Sequence, residues 1–367
     1  MKELAALFIL IFAAPRAQAG AGAEALPFLK MDVGARGAAL SGAYCAAGDD
    51  ALSVFYNPAG TALINKKEIL LGHNEWLEGI RNETIAYVQP LGPLLTVFGG
   101  VNALFSGSMG KYDAAGDKTG AFSSIEAAVS AGLSGGLGSG YYGGLAVKAL
   151  SQQAAGGKAL AWAGDAGLLK AAGGWRVGVS ASNFGGKLKF GSRGFDLPLM
   201  LRYGIARSFL ENFMVSAEGV KAGESAAAAA LGAEGRLRAG PKEYFFLRLG
   251  YKTGRSRYAG QGFTAGVGLT NRDLRIDYAF APYGDLGDAH RVTVALRFGA
   301  VRPEEFKRHP YGNLPKPHPR KLAPAELKRP APAKAAVEKK EDEKENTKGS
   351  RKEKKKGKKA GDVYFMW

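Results

Sequence analysis

Residues Arg291 to Phe298 read R-V-T-V-A-L-R-F. Val292, Val294, Leu296 and Phe298 share one face, and Arg291, Thr293, Ala295 and Arg297 share the other. A period of two over this length makes a β-strand with two unlike faces. The segment before it repeats the pattern, with Leu274, Ile276, Tyr278 and Phe280 on one side and Arg275 and Asp277 on the other. About ten such residues, tilted, cross a bilayer. No apolar run reaches the roughly 18 residues of a spanning helix. The chain from 66 to 300 is one short amphipathic strand after another, broken by Gly, Asn, Asp and Pro. The expected fold is all-β: a closed antiparallel barrel in an outer membrane.

The pattern supplies fourteen strands: 68–76, 80–89, 94–106, 120–133, 141–152, 159–170, 175–184, 196–208, 214–221, 227–238, 243–253, 260–269, 273–283 and 289–299. The alanine run at Ala226–Ala230 suits a helix start equally well, because alanine is the best helix former. An even count puts both ends of the barrel on one side. With the N-terminus entering from the periplasm, the first and last hairpin loops lie outside. Closure makes the first and fourteenth strands neighbours. His73, Asn74, Glu75 and Trp76 should then form one extracellular rim patch with Asp285, Asp288 and His290. Trp76, Tyr87, Tyr141, Tyr142, Trp175, Tyr251, Tyr258 and Tyr283 fall at strand ends, where interfacial girdles place aromatics.

Glycine is 53 of 367 residues, about twice the usual share. It falls within the strand-like segments, which suits tight turns and closely approached walls. Met1–Ala19 reads as a secretory signal peptide, with Lys2, an apolar stretch from Leu4 to Ala14 and the cleavage pattern Ala17-Gln18-Ala19. Cys45 is the only cysteine, so no internal disulfide forms, and a small packed residue is the expected role. The net charge of +17 is uneven. Residues 301–367 carry 20 Lys and Arg against 10 Asp and Glu, and the leader carries 2 against 1. The rest carries 28 against 22, so the basic character belongs mostly to the tail and gives no nucleic-acid reading.

Residues 20–65 form a separate piece rich in small residues, able to fit inside another structure. Ala51–Tyr56 looks helical, and Asn57-Pro58 should stop it. From 301 onward, Pro breaks up the first part and Lys, Glu and Arg fill the rest. Such a segment buries too little apolar surface to order itself, so a disordered periplasmic tail is expected. It either tethers to anionic cell-wall polymer or solubilises. The terminal V-Y-F-M-W, Val363–Trp367, is a candidate docking strand.

Several blocks carry a resemblance. F-L-K-M-D-V-G-A-R-G from Phe28, G-A-Y at Gly42–Tyr44 and G-D-D-A-L-S-V-F-Y-N-P-A-G from Gly48 to Gly60 resemble the PorV/PorQ family of outer-membrane proteins, within the FadL-like group of barrels. H-N-E-W-L-E-G-I-R-N-E from His73 and D-Y-A-F-A-P-Y-G-D-L-G-D-A-H-R from Asp277 resemble its next and closing blocks. The resemblance runs in order from Leu26 to Phe298. It implies a 14-stranded barrel with an N-terminal plug, and makes Asn57, Pro58 and Ala59 the plug's N-P-A motif. Read from the residues alone, those three are a helix stop.

No catalytic constellation, cofactor motif or metal-ligand spacing stands out. His73, His290, His309 and His318 are not at ligand spacing. Asp49, Asp50, Asp285 and Asp288 lack a calcium-loop pattern and are expected in solvated loops. The leading functional reading, implied by the resemblance, is a non-enzymatic component of type IX-like secretion whose partners are exported cargo or translocon subunits. The alternative is a FadL-like transporter holding a hydrophobic ligand, such as a fatty acid, in the barrel. A third is a soluble exported β-protein that binds glycans.

Overall fold

The computed structural model describes residues 24–92, 94–154, 157–210, 212–254 and 262–301. The expected leader, residues 20–23, Tyr258 and the tail from 302 lie outside the described residues. By its contacts the chain divides into Met1–Lys316 and Pro317–Trp367, the second wholly outside them.

The strands in chain order begin with β1 (Lys67–Glu75), β2 (Arg81–Leu91), β3 (Leu95–Phe105), β4 (Met109–Tyr112), β5 (Lys118–Phe122) and β6 (Ser124–Gly138). Next come β7 (Tyr141–Ala154), β8 (Gly157–Ala172), β9 (Trp175–Gly185), β10 (Lys187–Phe190), β11 (Arg193–Asp196) and β12 (Met200–Phe209). The last are β13 (Phe213–Ala222), β14 (Ala228–Arg238), β15 (Glu243–Lys252), β16 (Phe263–Asn271), β17 (Leu274–Pro282) and β18 (Asp288–Phe298). Fourteen of them form one closed antiparallel barrel in the order β1-β18-β17-β16-β15-β14-β13-β12-β9-β8-β7-β6-β3-β2. Closure runs from Lys67 opposite Phe298 to Glu75 opposite His290. No sheet edge is left along the seam.

Alternation decides what faces where. On β18, Arg291, Thr293 and Ala295 are buried inside, while Val292, Val294, Leu296 and Phe298 are 37–44 % exposed outside. Thus the apolar row faces away from the protein interior and the polar row fills the bore. On β8 the outward residues Leu160, Trp162 and Leu168 are 64, 69 and 53 % exposed, with Lys158 and Lys170 flanking them. This is a lipid-facing belt with charged margins. Short turns join the strands at the end where Lys67 and Phe298 lie. Gly173 and Gly174, both at positive φ, make one of them between β8 and β9.

Several expected boundaries are corrected. Residues 120–122 belong to β5, not to the fourth barrel strand, which starts at Ser124. The eighth barrel strand starts at Met200, because Asp196 ends β11 and Pro198, which has no N–H to give a ladder, interrupts the run. Hairpins β4–β5 and β10–β11 were not expected. The alanine run resolves as strand, with β14 paired from Ala228. Tyr142 faces the bore and is 8 % exposed, so it belongs to no girdle.

The N-terminal piece fills the bore. It comprises a 3-10 turn at Pro27–Lys30, helix α1 (Ala35–Ala39), helix α2 (Ser53–Tyr56) and a 3-10 turn at Pro58–Leu63. Asn57 is extended, φ −150° and ψ 105°, so α2 stops before Pro58 as expected. Glu24 bridges to Asp196 of β11, and the Ala25 N–H donates to the Asp196 carbonyl at 2.9 Å. That is the end opposite Lys67. The plug therefore threads the bore lengthwise before β1 begins.

Candidate functional site

The plug is held by close backbone approach on one side of the bore. At Gly144 of β7 an added Cβ would lie 2.5 Å from the Pro58 carbonyl carbon, and at Gly167 of β8 it would lie 2.0 Å from Asn57 Oδ1. These glycines let the N-P-A turn seat against the wall. Asn57 Oδ1 accepts from the Ala59 N–H at 3.1 Å, and its Nδ2 donates to the carbonyls of Cys45 at 3.0 Å and Leu168 at 3.2 Å. Asn57, Pro58 and Ala59 thus cap a turn and anchor it to β8.

Across the bore the anchor is ionic. Arg36 of α1 meets both oxygens of Glu234 at 2.8 Å, Asp49 at 2.6 Å and Asp50 at 3.0 Å. Arg248 joins Glu234 at 2.6 Å to Asp277 at 2.7 Å. Arg275 joins Asp277 at 2.9 Å to Asp50 at 2.6 Å, and Arg176 reaches Asp49 at 3.1 Å. Tyr44 donates its hydroxyl proton to Asp50 at 2.7 Å. Four guanidinium groups face four carboxylates, so the cluster is internally neutral. Such a network stays in place inside a protein only when its members are mutually satisfied. Burial alone would raise the Asp50 carboxyl, but Arg275 and Arg36 outweigh it and hold it well below the usual range. Asp49 is lowered against burial by Arg36 and Arg176. The solvated loop expected for Asp49 and Asp50 is therefore overturned: their side chains are 9 and 0 % exposed.

Further ties follow the same logic. Glu218 of β13 accepts from the N–H groups of Tyr44 and Cys45 at 2.8 and 2.7 Å while pairing with Arg202 at 2.6 Å. Glu68 of β1 accepts from the Ala51 N–H at 2.9 Å and from Arg297 at 2.6 Å. Cys45 is buried, and burial followed by Glu218 pushes its thiol up to about 12, so it is not a nucleophile at neutral pH.

Between the plug and the wall of β3, β6, β7, β9 and β12 lies a cavity lined by Leu29, Met31, Val33, Phe55 and Tyr56 from the plug and by Asn102, Ala128, Ser130, Lys148, Ser182, Asn183, Met200 and Arg202 from the wall. The space that water can occupy in it is about 30 Å³, room for one or two molecules. A ligand pocket needs roughly ten times that or more. As it stands, this cavity is too small for such a ligand. Among the described residues no cluster of metal-ligating side chains occurs.

The expected rim residues are brought to one end but not to one face. Glu75 is opposite His290 in register, and the Trp76 and Tyr283 rings meet edge-on at 4.6 Å. Asp285 and Asp288 are exposed beside them. His73, Glu75 and His290 point outward, with His73 Nδ1 2.8 Å from Glu83 and His290 Nδ1 2.8 Å from the Tyr278 hydroxyl. Asn74 points inward and is 4 % exposed, because strand alternation turns it away from its neighbours. The single rim patch is thus split by the wall. Sequence reading missed Arg36, Glu234, Arg248 and their partners. For Glu234 alone a signal was available, a lone acid on the inward row of the small-residue strand β14.

Comparison with known proteins gives three findings. Residues 13–148 match a family described as Uncharacterised protein family (UPF0164). No curated protein sequence matches. Among solved structures, the P. putida toluene transporter TodX superposes with a TM-score of 0.52 at 14 % identity, covering 73 % of this chain and 99 % of that one. The CymD monoaromatic hydrocarbon channel gives 0.52 at 13 % identity, covering 73 % and 98 %. A Pseudomonas aeruginosa FadL homologue gives 0.47 at 11 % identity, covering 69 % and 95 %. The fold is FadL-like.

Proposed function

We propose that the chain is a non-enzymatic outer-membrane channel for hydrophobic small molecules, with residues 25–64 as its gate. The carrying observation is the unequal anchoring of the plug. Its deep part is fixed by the four-arginine cluster and the N-P-A seat. Its first part, Ala25–Met31, rests on apolar neighbours such as Leu150 and Leu188 and carries fewer polar ties to the wall, the Ala25 N–H to the Asp196 carbonyl at 2.9 Å and Lys30 to the Ser225 hydroxyl at 3.1 Å. Movement of that segment would enlarge the adjacent cavity without breaking the cluster. Leu29, Met31, Val33, Phe55 and Met200 offer an apolar lining to whatever enters. Solved channels of the same fold are named for toluene and monoaromatic hydrocarbons, which supports this reading over a role in secretion. Cargo handling of the type IX kind rests on the PorV/PorQ-like sequence blocks alone. In the same reading the Lys67–Phe298 end faces the periplasm, and the basic tail starts there.

Toluene uptake by cells lacking their own hydrocarbon channels tests the proposal. Wild type should restore uptake. A Met31→Cys/Met200→Cys variant joined by a bifunctional thiol reagent should lose it and regain it on cleavage of the linker. Uptake equal to that of empty cells, or unaffected by the linker, overturns it.

A further inference from the structure

Arg291 of β18 points into the bore and is 1 % exposed, and among the described residues none of its three side-chain nitrogens has a hydrogen-bond partner. The bore's other deeply buried cations behave differently. Arg36, Arg176, Arg202, Arg248, Arg275 and Lys148 each touch a carboxylate within 3.1 Å. A guanidinium keeps its charge at neutral pH, so it cannot relieve its burial by losing a proton. Asp32 is the plug acid that senses Arg291, but its two oxygens are already held by Lys252 at 3.1 Å. The directly opposite residue across the β1–β18 seam is Asn74, 4 % exposed. Its amide nitrogen and oxygen are unpaired as well. Trp76 roofs the pair, its ring centroid 5.2 Å from the Arg291 guanidinium carbon.

We propose that Arg291 and Asn74 form a binding site for a carboxylate monoanion at the closing seam of the barrel. The guanidinium offers two parallel N–H groups to the two carboxylate oxygens, the geometry arginine favours. The Asn74 amide N–H group donates to the nearer oxygen, and its carbonyl accepts the guanidinium N–H that the anion leaves unused. One cation matches one negative charge, so a phosphate dianion would leave charge uncompensated. The site is separate from the cavity beside Met31 and does not rest on the channel reading. The carboxylate comes either from a small free acid or from the head of an amphiphile, and two probes distinguish these sources.

The test is NMR line broadening of ¹³C-acetate, ¹³C-octanoate and inorganic phosphate with the full chain in an uncharged detergent. Saturable broadening of acetate is expected for a free acid, and of octanoate alone for an amphiphile head. Arg291→Gln should weaken binding at least about tenfold, the loss of one charged hydrogen-bond pair. Arg238→Gln, at the far end of β14, should leave it unchanged. Should Arg291→Gln fail to show heat-modifiable migration, Asn74→Leu supplies the comparison. Wild type without saturable broadening by either acid overturns the proposal. So does equal binding by Arg291→Gln, or phosphate binding as tightly as the acids.

Discussion

Arg36 of the plug holds both carboxylate oxygens of Glu234 on β14, at 2.8 Å each, across 198 residues of sequence. Glu234 is simultaneously held by Arg248 at 2.6 Å. One acid thus joins plug to wall and wall strand to wall strand.

Glu234→Gln leaves two buried guanidinium groups short of charge. Breaking a buried pair from one side costs about 3–5 kcal/mol. The expected outcome is a barrel that still migrates as folded in unheated gels but whose plug becomes sensitive to protease near Asp49. Unchanged proteolysis would show that the cluster does not hold the plug.

Acid should loosen the same joint. The Asp49 and Asp50 carboxyls are lowered in the folded protein, so their stabilisation is present above the unfolded value of about 4 and is lost as pH falls through the lowered folded values. Thermal unfolding in detergent should be flat from pH 7 to about 5 and fall below about 4. A melting temperature that rises on acidification contradicts the pairing.

Much of the fold was legible because lipid imposes two demands at once on each strand, apolar side chains on alternate positions and enough length to cross. β18 meets both, and its boundaries came within a residue. Hairpins β4–β5 and β10–β11 meet neither, being short, with most of their residues exposed, so nothing in their pattern separates them from loops. The candidate site was less legible. Asp50 finds Arg275 across 225 residues, a pairing no local pattern encodes. The lengthwise threading of the plug rests on Glu24 meeting Asp196, again a contact that only the closed barrel creates.

Gly144→Val should dislodge the N-P-A turn. The new Cβ meets the Pro58 carbonyl carbon and oxygen and the Ala59 nitrogen, all backbone atoms that cannot rotate away. Overpacking of this kind costs about 1–3 kcal/mol. Gly235→Val, where an added Cβ meets nothing within 4 Å, is the control. Urea unfolding in detergent should separate the two, and equal midpoints would mean the turn does not press on β7.

The seam can be crosslinked. An added Cβ at Gly287 would lie 3.7 Å from Leu77 Cδ2, so the first and last loops touch. Leu77→Cys/Leu286→Cys should be bridged within one molecule by a short bifunctional thiol reagent. Native Cys45, buried with its thiol pushed up to about 12, should not compete. Only intermolecular products would contradict closure of β1 on β18.

The most direct measurement is quenching of Trp162, which stands 69 % exposed on the outer face of β8 between Leu160 and Leu168. In a variant with Trp76, Trp175 and Trp367 replaced by Phe, reconstituted in vesicles, lipids brominated on their acyl chains should quench its fluorescence strongly and aqueous iodide only weakly. Strong quenching by iodide and none by the brominated chains would place that face in water and contradict a barrel surrounded by lipid.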